Sequence, residues 1–310
     1  MSKFRFSPGE SVPFRDLKAI ERCRKIKRSQ IDKHKNPEFK IRVLRDADVE
    51  FTWVTDMLGR MKQASDEGRK FVMIMPNPVP SYRHVARLIN TLKVDCSKII
   101  FFAMDEYANE DGEIAPESWE FGFGHALKKH MVFKIDEKLR MPEKNVHLFT
   151  NKNIKDYGKM IADHGGADAC YSGPGWTGHL AFIEPDAPEF DLPLAEWKKC
   201  GPRIVTLSPF TLAQNSLYGG FGMSGDLAAV PPKAATIGPA EVIGAKHRMD
   251  VSALGIHGTA TSWQRLVARM CYHGPVTPKL PTSIHQLLDS NAIMSETIAR
   301  NIEPDWEKEY

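Results

Sequence analysis

The sequence predicts an α/β protein with a mostly parallel sheet flanked by helices. Residues 71–75 (FVMIM) and 99–104 (IIFFAM) are unbroken apolar runs, the pattern of strands buried on both faces, as parallel sheets require. Stretches with helical apolar spacing alternate with such runs, and that alternation builds parallel sheets. Polar clusters also follow predicted strands, at 76–81, 105–107, 173–179 and 257–261. Sheets of this class bind ligands beyond the carboxyl ends of their strands, so four such clusters on one edge predict a small-molecule site.

The elements follow in order. Residues 1–14 read as an irregular arm with Pro8, Gly9 and Pro13, and residues 15–35 are helix-compatible and basic. Residues 39–44 (FKIRVL) alternate as a strand does. A helix is expected over 46–68: Asp48 can cap it, Phe51, Val54, Met57, Leu58 and Met61 share a face, and Gly68 ends it. After the strand 71–75 come a proline-rich turn at 76–81 and a helix over 82–92. The strand 99–104 ends in Asp105-Glu106-Tyr107, and a polar loop leads to a helix over 116–130. A short strand is expected at 146–149, a helix at 153–164 and a strand at 169–171. Residues 185–202 are a proline-rich excursion. Strands follow at 203–207 and 251–256, with a further unit opening at 234–237 and continuing at 242–246. A helix over 262–272, a short helix over 283–288 and a polar end complete the chain. There is no internal repeat or low-complexity linker. The expected division is a basic N-terminal extension (1–38), a single α/β domain (39–295) and a polar tail (296–310).

Hydrophobic content of 42% and charged content of 26% fit a soluble globular protein. No apolar run reaches the roughly 18 residues of a membrane span, and the N-terminus lacks a signal-peptide core. The expectation is a cytoplasmic protein with no membrane partner. Cys23, Cys96, Cys170, Cys200 and Cys271 are scattered, with no C-x-x-C pair, which fits reduced thiols and neither a disulfide framework nor a zinc site. The net charge of +3 hides an asymmetry: residues 15–45 carry +8 and the rest −5. A basic segment can bind nucleic acid, but no reading motif accompanies the charge, and a solvated helix face is the expected reading.

The chemistry concentrates in residues 169–185, ACYSGPGWTGHLAFIEP. An apolar strand runs into a turn containing Gly173, Gly175 and Gly178, which delivers His179 and then Glu184. Glycines let the backbone approach a ligand closely, and an imidazole with a carboxylate nearby is the usual material of an acid/base site. A tight turn followed by a buried histidine is the alternative. The turn also satisfies the G-x-G-x-x-G dinucleotide pattern, but that pattern needs a helix at the third glycine. Pro185, Pro188 and Pro193 follow closely instead, so nicotinamide or flavin binding is not expected.

Phe102-Ala103-Met104-Asp105-Glu106-Tyr107, then Pro116-Glu117-Ser118, then Gly178-His179-Leu180-Ala181-Phe182-Ile183-Glu184-Pro185 resemble the glucosamine-6-phosphate deaminase/isomerase family, with its MDEY…PES and GxDGHxAFNEP motifs. Order and spacing hold from about residue 40 to about residue 290. The resemblance implies a modified Rossmann-like fold and aldose–ketose isomerisation coupled to loss of ammonia from C2. It implies that Asp105 is the proton-transfer base, that His179 assists opening of the sugar ring, and that Glu184 pairs with that histidine. Asn77, Ser81, Arg83, Glu106, Gly173, Gly175, Thr177 and Thr261 fall at the expected substrate-binding positions. No metal or organic cofactor is needed, because carboxylate and imidazole suffice for proton transfer. The partners expected are a sugar substrate and further copies of the chain.

The departures carry their own expectations. Thr177 stands where the family has an aspartate, and a hydroxyl can orient an imidazole but cannot neutralise an imidazolium. The family's TGGTP phosphate turn reads Asn77-Pro78-Val79-Pro80-Ser81 here, and prolines remove the N–H donors that cradle phosphate. Leu217 replaces an arginine, and the family's later lysine falls at Thr261 or its neighbours. Such losses weaken phosphate binding by on the order of 10³-fold, with Arg83 and His84 as possible substitutes. The substrate expected is therefore an amino sugar or related sugar, not necessarily the 6-phosphate. The alternatives are a sugar lactonase, since 6-phosphogluconolactonases share a GHxA-like motif, and a non-catalytic sugar-binding regulatory protein.

Overall fold

The computed structural model describes residues 6–76, 78–254 and 261–307. The alternating run is β1 (Phe39–Leu44), and the two unbroken apolar runs are β2 (Phe71–Met75) and β3 (Ile99–Ala103). They are followed by β4 (Asp105–Ala108), β5 (Val146–His147), β6 (Ala169–Ser172), β7 (Arg203–Thr206), β8 (Lys233–Thr236), β9 (His247–Ser252) and β10 (Ser290–Ser295). The helices are α1 (Leu17–Arg24), α2 (Asp46–Asp66), α3 (Tyr82–Leu92), α4 (Phe123–His130), α5 (Tyr157–Asp163), α6 (Leu194–Trp197), α7 (Pro209–Asn215), α8 (Pro239–Gly244), α9 (Gln264–His273) and α10 (Glu296–Ala299).

Seven strands form one parallel sheet in the order β1-β10-β9-β6-β2-β3-β5. In β2, Val72 and Ile74 enter one core cluster while Phe71, Met73 and Met75 enter another; in β3, Ile100 and Phe102 part from Ile99 and Phe101 in the same way. Both faces are thus covered, which is why these strands read as continuous apolar runs. The sheet grows outward from β2 through β3 to β5, and from β6 through β9 to β10. The order reverses between β2 and β6, and the crevice at such a reversal is where open α/β sheets bind ligands. β4, β8 and β7 form a separate antiparallel sheet, which the sequence did not announce.

Several elements differ from expectation. The basic helix stops at Arg24, because continuing it would stack Arg24, Lys25, Lys27 and Arg28 at i,i+3 and i,i+4 spacings, where like charges repel. Asp48 does not cap α2; Arg45 holds its carboxylate at 2.6 Å, and Phe51 stands 70% exposed off the buried face. The helix expected at 116 begins only at Phe123, after Gly122. β9 starts at His247 because its polar residues Arg248, Asp250 and Ser252 are buried and hydrogen-bonded, which hides it from an apolar pattern. β10 lies in the stretch expected to be a polar end, between β1 and β9. Past the boundary placed at 295, Ile298 and Ala299 of α10 are buried with Phe14, Ala19, Cys23 and Ile31 from the segment before residue 39. Residues 255–260 lie outside the described ones, and with them the end of the expected 251–256 strand and most of the 257–261 cluster. The five cysteines are free and buried. Among the described residues no helix is long and apolar enough to cross a membrane.

Candidate active site

The carboxyl ends of β2, β3 and β6, strands adjoining or flanking the crevice, deliver Pro76, Asp105 and Gly173 to one edge of the sheet. Gly173 leaves β6 so close to β9 that a Cβ there would stand 2.5 Å from the Val251 carbonyl oxygen. At Gly175 the approach is to the functional side chain itself: a Cβ would lie 1.8 Å from His179 Nε2. Glycine at 175 is what lets the backbone lie against the imidazole.

His179 is buried, and its ring is held from one side. Nδ1 lies 3.0 Å from Thr211 Oγ1, 3.2 Å from Thr177 Oγ1 and 3.3 Å from Glu184 Oε1. Thr177 donates its hydroxyl proton to Glu184 Oε2 at 3.0 Å, which leaves its lone pairs facing the imidazole and the His179 backbone N–H. Surrounded by oxygens and one carboxylate, Nδ1 carries the ring proton, so the other nitrogen is the base. Nε2 makes no hydrogen bond among the described residues. The backbone is pinned as well: Thr282 takes the Gly178 carbonyl through its N–H and the His179 carbonyl through its hydroxyl, at 3.0 and 2.8 Å. The next turn, 180–183, is closed by the Ile183 N–H on the Leu180 carbonyl, with Ala181 at φ 54°.

Asp105 pairs with Thr236 across β4 and β8. Its carboxyl is buried, and Oδ1 has no hydrogen-bond partner among the described residues. Burial first, then the charge of Glu106, pushes it well above the usual carboxylate range, as a desolvated acid with a like charge beside it must be. Around it stands an aromatic wall: Tyr107 packs on Phe123 at 4.6 Å and on Phe182 at 6.0 Å, and Phe182 in turn meets the His179 ring at 6.0 Å. Tyr107 accepts the Asn215 side-chain N–H at 2.9 Å, while Asn215 Oδ1 is buried without a partner. Gln214 joins this wall to the glycine turn, accepting the Trp176 N–H at 2.7 Å and donating to Tyr218.

The other expected site residues divide. Gly173, Gly175 and Thr177 stand with His179 and Glu184. The two oxygens of Glu106 take the N–H groups of Tyr107, Phe123 and Gly124, so it caps the N-terminus of α4. Ser81 donates to Glu50 Oε2 at 2.7 Å, and Arg83 projects from the exposed side of α3. Thr261 is exposed, and Asn77 lies outside the described residues. Thr211 and Thr282 were missed, since threonines far along the chain carry no motif. Trp176, 40% exposed, stacks on Trp263 at 5.5 Å and 17° beside Phe210. Among the described residues no group of three or more His, Cys, Asp or Glu could hold a metal ion.

No family model matches the chain. Over 192 residues it is 29% identical to the glucosamine-6-phosphate deaminase of Mannheimia succiniciproducens, a stretch covering 59% of this chain and 64% of that protein. It is 30% identical over 173 residues to glucosamine-6-phosphate deaminase 1 of Giardia intestinalis, covering 54% and 56%. The chain therefore spans less than two thirds of these two relatives. The enzyme of the same name from Caenorhabditis elegans is 26% identical over 224 residues, covering 68% and 75%. Among solved structures, a monomeric glucosamine-6-phosphate deaminase superposes with a TM-score of 0.65 at 17% identity, over 84% of this chain and 98% of that one. The 6-phosphogluconolactonase of Leishmania guyanensis superposes with a TM-score of 0.59 at 13% identity, over 85% and 98%. In sequence this chain is similar to glucosamine-6-phosphate deaminases, and its α/β fold is the one they share with 6-phosphogluconolactonases.

Proposed function

We propose that the chain isomerises an amino sugar from aldose to ketose with loss of ammonia, and that its substrate is not phosphorylated. The observation that carries the reaction is a pair of bases in contrasting settings on one sheet edge: the buried Asp105 carboxyl with Oδ1 unpartnered and His179 with Nδ1 locked and Nε2 unbonded, both among the described residues. His179 Nε2 takes the proton of the anomeric hydroxyl as the C1–O5 bond breaks and passes it to O5, giving the open-chain aldehyde and a C5 hydroxyl. Asp105 removes the proton from C2 of the open-chain aldehyde and returns it to C1, while a proton passes from the C2 amine nitrogen to O1, giving a C1 hydroxyl and a C2 imine. Water adds to the imine carbon, the C–N bond breaks, and ketose and ammonia leave. A carboxyl raised by burial suits both halves of the shuttle, because it is a stronger base than an ordinary carboxylate and holds the proton it has taken until C1 receives it.

Three observations support an unphosphorylated substrate. Pro76, Pro78 and Pro80 carry no N–H. The Ser81 hydroxyl is engaged by the acid Glu50. Leu217 is exposed where the resemblance calls for a cation. The exposed face of Trp176 offers an apolar surface for a sugar ring at the mouth of the site.

Ammonium release from glucosamine and glucosamine 6-phosphate, with wild type and Asp105→Asn, tests both parts. Expected are turnover of the free sugar and a loss of at least about 10²-fold in the variant. Preference for the ester refutes the substrate assignment. Hydrolysis of a sugar lactone that survives in Asp105→Asn, with no ammonium from either sugar, refutes the reaction. Trp176→Ala is expected to raise KM several-fold with kcat little changed.

A further inference from the structure

We propose that the chain carries a second binding pocket, for a small phosphate-bearing anion, between its basic N-terminal segment and the loop that follows α9. A cavity of about 480 Å³ opens there, lined by Arg22, Lys33, His34, Lys35, His273 and Gln286, with no Asp or Glu among its walls. Its size lies in the range of small-ligand sites.

The wall of this cavity is unbalanced in charge. Arg24 and Lys25 pair with Glu21 and Lys27 with Glu303, and none of these three cations lines it. Arg22, Lys33 and Lys35 have no ion pair or side-chain hydrogen bond among the described residues. Three like charges around one concavity repel, and an anion placed among them relieves that repulsion. A dianionic phosphate with several acceptor oxygens fits a guanidinium and two ammonium groups better than a single carboxylate does.

The floor is built and rigid, unlike a set of loose surface lysines. His34 Nδ1 accepts the Asn36 N–H at 3.0 Å, so its Nε2 bears the proton and meets Gln286 Oε1 at 3.3 Å. The buried Gln286 is fixed by its own amide group, which donates to the Cys271 and Gly274 carbonyls. His273 gives its Nε2 proton to the Ile31 carbonyl at 2.8 Å, and its Nδ1 makes no hydrogen bond among the described residues. A nucleic acid would need cations along a stripe to follow its backbone. Here Arg22, Lys33 and Lys35 converge on one concavity with a fixed floor, which favours a compact ligand.

Isothermal titration of the full chain with inorganic phosphate, against sodium chloride of equal ionic strength, tests this. The comparison is wild type against Arg22→Gln/Lys33→Gln/Lys35→Gln, whose side chains are exposed and outside the core; Lys35→Glu alone is the second variant. Expected are saturable binding of phosphate to wild type, at least tenfold weaker binding in the triple variant and in Lys35→Glu, and an unchanged melting temperature without ligand. Equal phosphate binding by wild type and variants places the anion elsewhere and overturns the proposal. So does absence of saturable binding to wild type, and so does retention of a DNA duplex by wild type without any phosphate binding.

Discussion

Thr177 joins two groups that would otherwise meet imperfectly. Glu184 Oε1 lies 3.3 Å from His179 Nδ1 yet counts among the buried oxygens without a hydrogen bond. The Thr177 hydroxyl bridges the gap through Oε2. Thr177→Val keeps the shape and removes the bridge. It is expected to lower kcat by about 10-fold or more with KM nearly unchanged, because the hydroxyl is engaged by Glu184 and His179 and positions the base; steady-state kinetics on the preferred sugar checks this. Asp105 gives a prediction in stability. Its native pKa lies above the ordinary 3.8, so the native state holds its proton longer than the unfolded chain, and stability falls as pH rises from there toward the native value. The melting temperature of Asp105→Asn should therefore exceed that of wild type by a margin that grows with pH above about 4; a margin independent of pH would contradict a buried, unpaired carboxyl. Asp105, His179 and Glu184 were legible because each sits in a short run with its neighbours. Thr211 and Thr282 were not, since they lie 32 and 103 residues from the histidine they hold, and side-chain convergence over such separations leaves no local pattern.

Strands and helices were legible where burial was apolar and illegible where it was polar. β2 and β3 announce themselves because both faces are filled with hydrocarbon. β9 places Arg248, Asp250 and Ser252 in the interior, each with partners, and a period count sees only a polar stretch. The small antiparallel sheet was missed for another reason: β4 follows β3 after a single residue, so nothing marks the change of direction. A helix start shows how a polar burial can be tested. Glu241 accepts the Gly238 N–H at 2.8 Å at the entrance to α8, and burial pushes its pKa up to about 7. Raised above its ordinary 4.5, it contributes stability at low pH that is lost as pH climbs to about 7. Glu241→Gln can keep the bond without the titration. Its stability relative to wild type should rise between about pH 4.5 and 7 and level off beyond, as urea unfolding at several pH values would record.

Across the molecule, the two ends of the described chain are tied through one side chain. Arg269 is fully buried, donating to the carbonyls of Ile26, Arg265, Ile298, Ala299 and Arg300. Arg269→Met would strand those oxygens in the interior and is expected to cost roughly 3 kcal/mol or more, with cleavage after residue 24 by a protease such as trypsin accelerating before the rest of the fold yields. The same junction governs the order of assembly. Among the described strands β1 is made first, yet its partner there is β10, the last of them. While the chain is being synthesised, β1 has no partner in the sheet and β9 presents an open edge. The central strands can associate early, but the N-terminal segment waits, exposed, until α9, β10 and α10, which cover it, emerge from the ribosome. That interval, a consequence of where one six-residue strand inserts, is when this protein most needs protection from aggregation.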